Sequence, residues 1–186
     1  MKRMLFVSAG HSSKPGRDNG AMGVDGITEG QRTEEFRNLF VEECKKLGIT
    51  TNVDGADTIL QDTMNIFKKY TNKDSILIEF HFNAGPASAS GFEVLVPQKS
   101  ELSTLEKEIA NNFCLIASDV LGIKNRGVKT EDESARGRLG WMRLAGHNIL
   151  PEICFISNQK DVDTYNANKK VLAAKFAKCI LPYINQ

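Results

Sequence analysis

Cysteine is scarce in this chain of 186 residues, and its four copies, Cys44, Cys114, Cys154 and Cys179, form no CxxC pair. Thiols placed singly inside segments of helical or strand periodicity suit buried, reduced side chains, not a disulfide-stapled secreted scaffold. Long apolar runs are missing as well. No stretch approaches the roughly 18 residues of a membrane span. The run Met4-Leu5-Phe6-Val7 is too short for the roughly 7–15 apolar residues of a signal peptide. The chain is therefore expected to be made in the cytoplasm, with nothing in it directing its own export. Nor is there an excess of one charge: 24 Lys and Arg face 23 Asp and Glu, a net of +1. A protein built to grip phosphate backbones carries a basic excess, so nucleic acid is excluded as the main ligand. Repeats, low-complexity tracts and Ser/Pro/Gly-rich linkers are absent, which leaves one domain over residues 1–186.

What the chain has is a regular alternation of short and long apolar patterns. Residues 4–8 form a compact strand, followed by a Gly-rich loop from Gly10 to Gly26. Thr28 and Gln31 make a capping box for a helix carrying Phe36, Leu39, Phe40, Cys44 and Leu47, stopped at Gly48. Ile49–Val53 reads as a weak strand, Asp57–Tyr70 as a helix, Ser75–Phe82 as the strongest strand and Gly91–Val96 as another. Ser103–Leu121 is a long helix, Gly122–Gly137 a charged loop, Leu139–Leu144 a short apolar piece, Ile149–Ile156 a strand and Val162–Ile184 a helix. Strands alternating with helices predict an α/β fold, a mostly parallel twisted sheet with helices on both faces. Pro151 removes a ladder donor, so the last strand is expected at an edge or locally irregular. The final helix, with Val171, Leu172, Phe176, Ile180 and Leu181, is expected to close the core of a monomer.

Only three histidines are present, His11, His81 and His147. His11 and His81 stand at or just past the ends of the two best strands, where ligands gather in open α/β sheets. Glu29 opens the first helix on that same rim, and Glu152 lies toward the end of the last strand. Two imidazoles and a carboxylate make a three-ligand zinc site with one position left for water. A further, non-ligating carboxylate would carry the proton. On residue types alone a second reading stays open, with His11 capping its loop and His81 packed within the sheet.

Five short motifs favour the first reading. Phe6-Val7-Ser8-Ala9-Gly10-His11, with Asn19-Gly20-Ala21-Met22-Gly23 and then Glu29, resembles the opening of the zinc-dependent N-acetylmuramoyl-L-alanine amidases of the amidase-3 family. Ile78-Glu79-Phe80-His81-Phe82-Asn83-Ala84 is similar to the family's SIHxNA strand. Gly91-Phe92-Glu93-Val94 is similar to its GFEV strand, and Arg126-Gly127-Val128-Lys129 to its RGVK turn. Glu152-Ile153-Cys154-Phe155-Ile156-Ser157-Asn158 resembles its closing ExGFxSN. The resemblance implies a zinc-exopeptidase-like fold, one catalytic Zn2+ held by His11, Glu29 and His81, and Glu152 as the catalytic carboxylate. The implied reaction is hydrolysis of the amide between N-acetylmuramic acid and the L-alanine of the peptidoglycan stem peptide.

This chain departs from the family pattern in places. Ser12-Ser13-Lys14-Pro15 follows His11 where a glycine pair is common. Glu79 replaces a serine two residues before His81, on the same face of the strand; it either orients the imidazole or faces a basic group elsewhere. Cys154 replaces a glycine and is expected as a small buried filler, or as a thiol near the metal. Asn83, Arg126, Lys129 and Arg143 are candidates for holding the stem peptide. The stretch Lys129–Arg138 is expected to border the cleft, Trp141 to pack in the core and His147 to sit on a surface loop. No long inserted helix that would occlude the site is evident. The leading expectation is a phage or prophage lysin, released from the host cytoplasm with the help of a holin. It is expected to have no separate wall-binding domain. A carboxypeptidase-like zinc hydrolase and a non-catalytic peptidoglycan-binding relative are the alternatives.

Overall fold

A computed structural model describes residues 2–55, 58–134 and 137–185. Six strands form one sheet: β1 (Leu5–Ala9), β2 (Thr51–Val53), β3 (Ile76–Asn83), β4 (Phe92–Val96), β5 (Asn125–Thr130) and β6 (His147–Phe155). Their order across the sheet is β2-β1-β3-β6-β4-β5. Every pairing is parallel except β4 against β6. This is a mostly parallel α/β sheet, as expected. The one reversal matters for the site. It brings the start of β4 beside the late part of β6, so that Glu93 and Glu152 are register partners.

Helices α1 (Glu29–Lys46), α3 (Thr104–Leu121) and α4 (Gln159–Ile184) cover one face. Capping boxes start α1 at Thr28 with Gln31 and α3 at Ser103 with Glu106, satisfying donors that a helix N-terminus leaves open. Their stripes meet β1, β3, β4 and β6 in a core containing Val7, Phe36, Phe40, Phe80, Phe113, Phe176 and Ile180. Burying each such side chain contributes about 1.5–3 kcal/mol. Phe113 and Phe176 stack with centroids 4.0 Å apart and planes 10° from parallel, tying α3 to α4. The final helix thus closes the core: Leu172, Phe176 and Ile180 are fully buried. Among the described residues, no helix is long and apolar enough to cross a membrane.

On the opposite face the cover is partial. The short helix α2 (Leu60–Phe67) and a 3₁₀ turn at Gly140–Arg143 pack Phe67, Trp141 and Met142 on Phe6, Leu77, Leu95 and Leu150. Trp141 is core, as its context predicts. Beyond this cluster the same face turns polar, presenting Ser8, Glu79, His81, Asn83, Glu93 and Glu152, with strand alternation fixing which residues share it.

Three expectations need correction, and one left open between two outcomes is settled. The helix expected over Asp57–Tyr70 is shorter, and Asp57 lies outside the described residues. The charged stretch expected as a loop contains β5, an edge strand whose exposed position needs no apolar alternation. Strand β6 is not at an edge, Pro151 notwithstanding; the irregular alternative holds instead. His81 pairs with Glu152 but Asn83 with Phe155, so β6 carries an extra residue. That bulge sends both Ile153 and Cys154 into the helix-side core, where Cys154 is a buried filler and not a thiol beside the histidines. Finally, His147 begins β6 opposite Ile76, at the far end of the sheet, with its Nδ1 2.9 Å from Ser103 Oγ.

Candidate active site

The polar half of the sheet face floors a cleft of about 830 Å³. His11 enters it from the loop after β1, with a backbone φ of 64° that few non-glycine residues adopt. Thr33 donates to the Gly10 carbonyl at 2.6 Å and Asn19 to that of Ser12 at 2.6 Å, fixing this turn against α1. His81 comes from β3, with its ring lying over Gly10. A Cβ on Gly10 would sit 2.2 Å from His81 Nε2, and one on Gly20 2.6 Å from Glu29 Oε2. Two glycines of the loop are therefore required by close approach.

Glu29, the first residue of α1, joins the two histidines. Its Oε1 lies 3.0 Å from His81 Nδ1 and accepts from the Phe82 amide at 3.2 Å. Its Oε2 lies 3.4 Å from His11 Nε2 and accepts from the Ala21 amide at 3.2 Å. Burial pushes the Glu29 carboxyl up, but the His81 hydrogen bond and the charges of both imidazoles outweigh it and hold it below its ordinary value. Burial likewise works against a charged His81, yet Glu29 and Glu79 raise its pKa well above the usual imidazole value.

One ligand atom from each of His11, Glu29 and His81 falls within 4.8 Å of the other two. A tetrahedral ion with bonds of about 2 Å keeps its ligand atoms about 3.3 Å apart. Two imidazoles and a carboxylate at the separations given above therefore suit a divalent cation. The outward nitrogens are also held by carboxylates: His11 Nδ1 lies 3.0 Å from Asp18 and His81 Nε2 3.1 Å from Glu79.

Glu152 stands beside His81 as its register partner. Its Oε2 is buried and has no hydrogen-bond partner among the described residues. Burial, reinforced by Glu29, Glu93 and Glu79 and opposed by His81, pushes this carboxyl up to about 7. A carboxyl with that value gains and loses a proton readily near neutrality.

Further along the cleft, Glu93 gathers the other candidates. Asn83 Nδ2 donates to its Oε1 at 2.9 Å, and Arg126 and Lys129 each reach its Oε2 at 2.6 Å. Arg126 and Lys129 share a target because β5 is bulged. Phe92 pairs with Asn125 but Glu93 with Gly127, leaving Arg126 as the extra residue and Gly127 at φ 83°. Glu133, Ser134 and Arg138 complete that wall, so described residues of the stretch expected at the cleft do border it. Arg143 does not line it; its guanidinium is bound to the buried Glu131 and lies 3.5 Å from Glu101.

Three participants escaped the sequence reading. Asp18 had no local signal, being one acidic residue in a polar loop. Glu93 did have one, as a lone charge inside the apolar run Phe92–Val96, which is costly unless it is paired. Arg138 was seen only as part of a charged stretch.

Residues 5–185 match the amidase-3 family, N-acetylmuramoyl-L-alanine amidase. The chain belongs to that family. The fold agrees with solved structures of such enzymes. The catalytic domain of the CD27L endolysin targeting Clostridia difficile superposes with a TM-score of 0.75 at 23% identity, covering 97% of both chains. A putative N-acetylmuramoyl-L-alanine amidase from Neisseria meningitidis gives 0.76 at 23% identity, covering 98% of this chain and 96% of that one. An uncharacterized protein of Bacillus subtilis, YqiI, is 25% identical over 169 residues, 87% of this chain and 74% of that protein.

Proposed function

We propose that this amidase-3 domain is a zinc enzyme that hydrolyses the bond between N-acetylmuramic acid and L-alanine in peptidoglycan. The observation that carries the reading is the buried, unpartnered Glu152 Oε2 directly beside the His11–Glu29–His81 cluster. A non-catalytic binding module would have no need to keep a carboxylate buried without a partner at several kcal/mol of cost.

His11, Glu29 and His81 would hold the ion. Zinc bound there supplies a Lewis acid that polarises the scissile carbonyl and makes water more acidic. Glu152 takes the proton of the attacking water and then delivers it to the departing L-alanine amine. Its carboxyl, pushed up to about 7, suits both transfers. Atoms balance as one water added across one amide, giving the lactyl carboxylate and a free amine. Asn83 and the cationic groups Arg126, Lys129 and Arg138 support a role in receiving the stem peptide, whose carboxylates would compete with Glu93 for the first two cations. The acidic end of the cleft would then face the neutral amide and the basic end the anionic peptide.

Purified peptidoglycan digested with and without a chelator, followed by mass analysis, tests this reading. New L-alanine amino termini with intact cross-links, lost on chelation and restored by zinc, are the expected products. Cleavage inside the peptide would instead identify a carboxypeptidase-like hydrolase. We further propose a lysin role, with action on the wall following release from the cytoplasm. Expression inside a host should then cause lysis only when the inner membrane is permeabilised, and an intact wall after permeabilisation would reject the role.

A further inference from the structure

We infer that Glu79 is a positioning residue that fixes the ring of His81, with a buried polar cluster running back to Arg37 packed behind it. The inference rests on the metal-centre reading above and goes beyond it in naming what prepares one ligand.

Glu79 is only 3% exposed, and an unpaired carboxylate at such depth costs several kcal/mol. Among the described residues its close partner is His81, and Ser8 is a contact only, because the single hydroxyl proton of Ser8 goes to Asp54. Glu79 Oε2 lies 3.1 Å from His81 Nε2, and its Oε1 lies 3.5 Å from the hydroxyl of Ser8, its register partner on β1. Carboxylates only accept, and each ring nitrogen of His81 faces one; Glu79 therefore keeps a proton on Nε2 when Nδ1, which faces Glu29 and the centre of the cluster, gives its own up to a cation. The rotation of the imidazole and the side that offers a lone pair are thereby set together.

Behind Ser8 the cluster continues. The Ser8 hydroxyl donates to Asp54 Oδ2 at 2.7 Å, and Thr63 donates to that same oxygen at 3.1 Å. Arg37 on α1 donates to Asp54 Oδ1 and, at 2.9 Å, to the Asp54 backbone carbonyl. Arg37, Asp54, Ser8 and Thr63 are all buried, and none of them touches the cleft. Residues from α1, β1, β3, α2 and the segment after β2 are thus joined beneath one imidazole. Stability alone is a poor account of so many buried polar groups, because apolar packing would stabilise these positions as well or better. Orienting a single ligand does account for them.

The test compares wild type with Glu79→Gln, Glu79→Ala and Ser8→Ala. Zinc affinity is read by competition with a chromophoric chelator, and the His81 ring nitrogens are read by 15N NMR in the metal-free protein. Glu79→Ala is expected to weaken zinc binding by about 10–100-fold, Glu79→Gln by less because it keeps an acceptor, and Ser8→Ala least. The Nε2 hydrogen-bond signal of His81 should be lost in Glu79→Ala and kept in Ser8→Ala. If Glu79→Ala fails to fold, Glu79→Gln decides, with a weaker zinc affinity and a shifted Nε2 resonance expected. Wild-type affinity together with unchanged ring resonances in the Glu79 variants would overturn the inference. A wild type that binds no zinc would instead reject the metal-centre reading, and the ring resonances would still decide the orienting role.

Discussion

The two imidazoles at the centre of the cleft are held in opposite ways. His11 sits on a loop in a left-handed backbone conformation, and its outward nitrogen meets Asp18, a side chain 68% exposed. His81 sits on a central strand, and its outward nitrogen meets Glu79, a side chain 4% exposed with a buried network behind it. The loop-borne ligand is placed by turn geometry, and water can stand in for its partner. The strand-borne ligand is placed by packing, and Glu79 sits too deep for water to take its place. One side of the centre should therefore tolerate change that the other does not.

Removing the rings gives the largest contrast. His11→Ala and His81→Ala should both abolish zinc binding and amidase activity, since each supplies a ligand. Their metal-free forms should differ in stability. His81→Ala leaves Glu79 buried and unpaired, at a cost of about 2–4 kcal/mol. His11→Ala leaves Asp18 exposed to water and still accepting from the Gly20 amide. Denaturant melts of the chelated proteins measure this, and equal losses would end the distinction.

Replacing the acid beside the strand-borne ligand comes next. Glu152→Gln should retain zinc at wild-type stoichiometry while kcat falls about 10²–10⁴-fold, because the shape remains and the proton carrier is gone. Substantial residual turnover would remove Glu152 from that role. The partners of the rings make a smaller but sharper comparison. Asp18→Asn should weaken zinc binding only about two- to fivefold, the size of an exposed pair. An effect as large as that of Glu79→Ala would show that exposure is no guide to the support each ring receives.

How much of this was legible in the sequence follows the same division. Strands such as Ile76–Asn83 and Phe92–Val96 announce themselves because a central strand is buried on one face along its whole length. The edge strand β5 does not, because its side chains answer to Glu93 and to solvent, not to an apolar core. The positions of His11, Glu29, His81 and Glu152 could be inferred because strand ends and a helix start bring them to one rim. Pro151 signals an irregularity in β6, but the bulge in β5 has no such mark, since an extra residue in a strand leaves no compositional trace. Yet one bulge decides that Arg126 joins Lys129 at Glu93, and the other that Cys154 turns away from the cleft. The cluster from Glu79 to Arg37 was equally hidden, being assembled from five separate segments of sequence.

A separate predicted effect concerns stability against pH in the metal-free protein, where the two sides again part. Glu29 has a lowered carboxyl value, so its contribution is present above its ordinary value of 4.5 and fades as the pH falls through the lowered one. Glu152 has the reverse sign. Raised from 4.5 to about 7, it binds its proton more tightly in the folded state. The stability it contributes is complete below 4.5 and is lost as the pH rises toward about 7. Glu152→Gln cannot ionise and so should remove that decline. Chelated wild type and variant should differ little at pH 4.5, with the variant the more stable of the two by about 1–3 kcal/mol at pH 8. Chemical denaturation across this range measures the gap. A gap that does not widen with pH would mean that Glu152 ionises freely in the fold, and the reason for its proton-carrying role would then have to come from the bound metal alone.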